Sequence, residues 1–152
     1  MQVEFKPTTM ETTELKKMVI PIGDTREESI ARKIIIWDYY EDWKKKNPSQ
    51  KKYNLALKAF INIRYVSIDE TSYQASKSFL STLAVLQLDS VLTMSKPYRI
   101  VKAKQNDKNQ KRFNKLIWMR HVLPGIGEVK LLVGIARRTN EKVQYCITAI
   151  QT

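Results

Sequence analysis

The chain has 152 residues, 43% of them hydrophobic, with 27 Lys and Arg against 15 Asp and Glu, a formal net charge of +12. That length suits one domain burying roughly 70% of its unfolded surface. One Cys and one His exclude an internal disulfide and a zinc site of the usual kind, so no metal or cofactor is expected. No run of about 18 apolar residues exists and the start is polar, so neither a membrane span nor a signal peptide is expected, and a cytoplasmic location is.

The first ten residues have no clear period and read as a short strand or an arm, within a segment, 1–17, that precedes a mainly helical part, 18–95, and a basic sheet, 96–152. Met18 to Ile22 suggests a short strand stopped by Pro21 and Gly23. Asp24 and Glu27 have capping-box spacing, which starts a helix near Thr25. Ile30, Ile34 and Trp37, with Tyr40 and Trp43, recur at three or four and predict its buried stripe; Lys44 to Lys46 suit its C-terminal dipole. Trp37, Tyr39, Tyr40 and Trp43 beside those lysines read either as core or as base-stacking groups. After a linker over Asn47 to Lys52, the β-branched alternation of Phe60 to Val66 predicts a strand. Ser67 and Glu70 repeat the box spacing at a second helix, and Ser78 to Leu92 predicts a third.

Lys96 to Lys142 holds 13 Lys and Arg against three acids, so nearly all the excess charge is local. Met94 to Lys104 is a weak strand signal, followed by a polar loop, Gln105 to Gln110, that should be mobile. Phe113 to Leu123, Glu128 to Arg137 and Val143 to Ile150 alternate as strands around turns at Pro124–Gly127 and Arg138–Lys142. The expectation is α+β: N-terminal helices on one face of a C-terminal antiparallel meander. Cys146 falls in an apolar run and reads as a buried, inert thiol.

Motifs for phosphate loops, dinucleotides, zinc proteases and serine hydrolases are absent. A basic sheet attracts polyanions through local anion density and counterion release, although most charge runs are only solvated surface. The same inventory could cleave RNA without metal, because the 2′-hydroxyl is the nucleophile and the enzyme need supply a base, an acid and cations. His121 is a candidate proton carrier, yet alternation sets it beside Ile117, Met119 and Leu123, as a structural histidine would be. Lys115, Arg120 and Lys130 are expected as a phosphate clamp near the Pro124 turn, with Tyr145 on the last strand. Lys96, Arg99, Lys102, Lys104, Arg112, Arg137 and Arg138 are the candidate phosphate grips.

The succession PIGDTREESIARKI, FINIRYVSIDETSYQA, FLSTLAVLQLDSVL, KLIWMRHVLPGIGEVKLLVGI and VQYCITAI resembles the large polyvalent protein-associated domains and related phage nucleases. These are grouped with barnase, EndoU, colicin nucleases and RelE toxins. The resemblance covers roughly 18–150 and rests on spacing and apolar pattern. It implies an RNase/RelE-like fold and a metal-independent endoribonuclease, toxin-like, of a phage or mobile element, held in check by an acidic inhibitor or antitoxin protein. Lys115 with Arg112 then takes the basic place opening the first hairpin strand, and Tyr145 the aromatic place in the last. No histidine stands around residues 108–115, unlike several relatives, which favours lysine- and arginine-based catalysis with His121 or Tyr145 assisting. The alternative is a non-catalytic nucleic-acid-binding or protein-inhibiting module, or an adaptor meeting an acidic protein.

Overall fold

The computed structural model describes residues 19–151; the expected N-terminal arm falls outside them. Four helices, α1 (Arg26–Lys46), α2 (Tyr65–Ala75), α3 (Phe79–Val85) and α4 (Leu88–Met94), accompany six strands. The strands are β1 (Lys51–Asn54), β2 (Ala59–Asn62), β3 (Lys96–Lys102), β4 (Phe113–Leu123), β5 (Gly127–Ala136) and β6 (Lys142–Ile150), all in one sheet of order β1-β2-β6-β5-β4-β3. The class is α+β.

Helix α1 starts one residue later than the Asp24–Glu27 spacing suggests. Thr25 is the N-cap: its Oγ1 accepts from the Glu28 amide at 3.2 Å and donates to the Glu28 carboxylate at 2.8 Å. That carboxylate also accepts from the Gly23 amide, so residues 19–24 are irregular chain tied to the cap and the expected strand is not formed there. The buried stripe is Arg32, Ile36, Tyr39, Tyr40 and Trp43, whereas Ile30 and Ile34 are exposed. Tyr40 and Trp43 are buried as expected, but Ile36 and Tyr39 join them in place of Ile30 and Ile34, and Arg32 interrupts the apolar pattern that would have marked this face.

Strand β1 occupies the end of the expected linker and pairs with β2. Asn54 fixes this hairpin to α4, donating to the Leu92 and Ser95 carbonyls and accepting from the Leu57 amide. Strand β2 stops four residues short of Val66 because Ser67 Oγ accepts from the Arg64 amide and turns the chain into α2 from Tyr65. The third helix expected over Ser78 to Leu92 is two, broken at Leu86 and Gln87. Leu83, Ala84, Val85, Leu86, Leu88, Val91 and Leu92 are all buried; one straight helix would turn part of that all-round apolar surface outward.

Strands β3 to β6 run antiparallel in succession, but the sheet is mixed and not a pure meander. Strand β2 joins β6 in parallel through only Ile61–Lys142 and Asn62–Val143. Further along, helices close the β6 edge. Ser81 Oγ accepts from the Ala149 amide at 2.9 Å, and buried Gln144 joins the Tyr40 and Thr71 hydroxyls. Ser81 thus satisfies backbone groups of Ala149 that an unpaired edge leaves open.

The main core lies between the helices and one face of the sheet, lined by Ile117, Met119, Val129, Leu131, Val133 and Ile147. A smaller cluster covers half of the other face, where Phe113 lies over Gly134 beside Leu116, Val143, Tyr145 and Cys146. The turn after β4 uses Gly125 and Gly127 at φ of +80° and +126°, a conformation that other residues adopt only with strain.

Candidate nucleic-acid interface

Alternation along β4 sends Ile117, Met119, His121 and Leu123 toward the helices and Trp118, Arg120 and Val122 to the opposite face. Register then assembles that outer face. Lys96, Arg120 and Lys130 are direct cross-strand neighbours on β3, β4 and β5, and Arg99 lies opposite Trp118. Tyr98 sits at the β3 bulge and meets Trp118 edge-on at 6.4 Å between ring centroids. The Arg120 guanidinium lies 5.1 Å from the centre of Tyr98, and the Lys130 ammonium 5.6 Å from that of Trp118. Tyr98, Val122 and Ile150 are 42, 63 and 50% exposed, so this half of the face is open among the described residues.

Adjacent strands are about 4.8 Å apart, and like charges placed side by side across strands are destabilising. Among the described residues the only ion pair on this face joins Arg120 to Glu128 at 3.9 Å, with both side chains substantially exposed; such contacts contribute about 1 kcal/mol at most. Three cations and one carboxylate leave a positive strip beside two aromatic rings.

The remaining expected site residues are elsewhere. Lys115 stands opposite Lys102 and Ile135, five residues from Arg120 and so roughly 17 Å away at the strand rise; it does not join Arg120 and Lys130 at the Pro124 turn. Lys104, Arg112 and Arg138 are exposed on the loops of that far end. Arg137 is a staple: its guanidinium donates to the Lys111 carbonyl at 2.9 Å, to Asn114 Oδ1 and to Gln105 Oε1. Gln105 to Gln110 is held further by Asp107 Oδ1, which accepts from two amides, and by Asn109, which donates to Glu70. The loop expected to be mobile is therefore anchored at several points.

His121 is on the helix-facing side, opposite Val129. Burial, and then the charge of Lys96, hold its imidazole below the usual value. Tyr145 is buried with its ring against Phe113, and its hydroxyl donates to Glu70 at 2.9 Å. Burial and then that hydrogen bond push its phenol well above the ordinary range. The five expected catalytic residues are thus divided among the open face, its reverse, the far end and the small core.

No protein-family model, curated protein or solved structure matches the chain. Among the described residues, no group of three or more His, Cys, Asp and Glu side chains could hold a metal ion, and no helix is long and apolar enough to cross a membrane.

The sequence reading missed Trp118 and Tyr98 as site residues. The signal for Trp118 was present, because the alternation that turns His121 inward turns Trp118 and Arg120 outward together. Nothing in the sequence marked the β3 bulge that brings Tyr98 beside them.

Proposed function

We propose that this protein is a nucleic-acid-binding module that uses the open sheet face without turnover. The observation that carries the reading is the row Lys96–Arg120–Lys130 across three adjacent strands, flanked by Tyr98 and Trp118. A polyanion relieves the mutual repulsion of such a row and gains from released counterions. Arg99 extends the strip, and the loop cations Lys104 and Arg138 at the far end give a long ligand a second place to rest, whereas Lys102 and Lys115 pair with each other on the reverse of the sheet, the side of Ile100 and Ile117. RNA is the ligand class in view, in the setting of a phage or mobile element that the resemblance implies.

The test is anisotropy of labelled RNA titrated with protein at several salt concentrations. Arg120→Ala and Lys130→Ala should each weaken binding and reduce the salt slope by about one. Unchanged affinity and salt slope in both variants, or no binding at physiological salt, would refute the reading.

A metal-independent endoribonuclease of RNase/RelE-like fold is the second reading, supported by the resemblance and by the antiparallel succession β3 to β6. It requires a base, an acid and cations around one phosphate, whereas His121 and the Arg120–Lys130 pair are on opposite faces. Incubation with RNA in EDTA decides between the two. Cleavage that is lost in Arg120→Ala and in His121→Ala would establish the enzyme. An acidic inhibitor belongs with that second reading, and would compete with RNA for the same face.

A further inference from the structure

We propose, resting on the nucleic-acid reading, that the open face takes single-stranded nucleic acid, with bases stacked on Tyr98 and Trp118 and phosphates on Lys96, Arg120 and Lys130. The two rings are 6.4 Å apart and tilted 71° to one another. They offer two separate platforms to splayed bases, which is how single strands are held on aromatic side chains. Bases inside a duplex already stack on each other and leave such rings nothing to take up.

Shape argues the same way. A major groove about 12 Å wide admits a helix or a two-stranded ribbon. Strands β4 and β5 are not a free ribbon but are flanked by β3 and β6, and four strands at about 4.8 Å spacing already span more than the groove before side chains are added.

Two details point to a ligand in this place. Arg120 and Lys130 lie over the Tyr98 and Trp118 rings, on surface that a base would take, and their flexible stems let them swing off to the adjoining phosphates. Among the described residues the Trp118 Nε1–H is shut away from solvent with no acceptor, a cost that proteins seldom leave standing. A base or phosphate oxygen reaching it would supply that acceptor. None of these contacts reads base identity or the 2′-hydroxyl, so the site tolerates sequence and takes RNA and DNA strands alike.

The experiment compares labelled oligouridylate, oligothymidylate and a poly(A)·poly(U) duplex of equal length, with the whole protein. Both single strands should bind within a few-fold of each other and at least tenfold tighter than the duplex. Tyr98→Leu and Trp118→Leu should each lower single-strand affinity about tenfold while leaving the salt slope unchanged, and Trp118→Phe should restore most of it. Tyr98 is exposed, so its variant reports even if Trp118→Leu fails to fold. Equal affinity for strand and duplex, or unaltered single-strand binding in Tyr98→Leu, would overturn the proposal while nucleic-acid binding stood. Failure of all three probes to bind would instead remove the nucleic-acid reading itself.

Discussion

Replacing Arg32 should expose how the helical layer is tied together. Its guanidinium is fully buried and donates from Nε to the Ser76 carbonyl at 2.7 Å, and from Nη1 to the Pro21 and Gly23 carbonyls at 2.8 and 2.7 Å. One side chain of α1 thereby joins the chain entering that helix to the end of α2. Among the described residues no carboxylate pairs with it, and its Nη2 has no partner. Three charge-assisted hydrogen bonds contribute roughly 1.5–3 kcal/mol each. Against this, a buried ion loses several kcal/mol of hydration. Ser76 also keeps a bond from Ser29 Oγ when Arg32 is gone. The difference leaves Arg32→Ala destabilised by about 3 kcal/mol once the lost stem packing is included. Arg32→Met fills the volume without the charge and should lose about half as much. Urea denaturation gives both numbers from midpoints at constant slope. If alanine shifts stability by less than about 1 kcal/mol, the three bonds contribute nothing net and the reasoning fails.

Further outcomes follow from other parts of the fold. Gly134→Ala places a methyl 2.5 Å from the Phe113 ring and should destabilise by about 1–3 kcal/mol, with Phe113→Leu in the same chain recovering part; a neutral Gly134→Ala would mean that the small core yields freely. Because the folded state holds the His121 imidazole below its usual value, the unfolded state takes up the proton first. Stability is then full above about pH 6.5 and is lost as pH falls from there toward the folded value. Urea midpoints of His121→Gln should be flatter across that window, and an identical pH profile would contradict the burial assigned to it. The Cys146 thiol, pushed up to about 12 by burial and then by Glu70, should resist iodoacetamide at pH 8 in the native protein and react promptly in urea. Equal rates in both states would place the thiol at the surface.

What was legible in the sequence follows from how local each signal is. Strands β4, β5 and β6 were readable because their alternation and their turns are consecutive: Phe113 to Leu123 matches β4 at both ends. The mixed sheet was not, since the Ile61–Lys142 pairing joins residues far apart in the chain and rests on two positions. On α1 the expected stripe has Tyr40 and Trp43 inward as found, and only the location of the sheet decides that Ile36 and Tyr39 join them in place of Ile30 and Ile34. The site divides on the same principle. The pairing of Arg120 with Lys130 follows from a hairpin, whereas the separation of Lys115 follows from counting residues back from its turn. The use of Arg137 as a loop staple depends on Lys111, Asn114 and Gln105 folding around it, so a charge that looks free in sequence is spent on structure. Net charge therefore overstates the interface. Of the twelve expected site residues, Lys96, Arg99, Arg120 and Lys130 share one face with two aromatic rings. Neutralising any of these four should alter binding more than the same change at Arg137, whose loss should appear first as lowered stability.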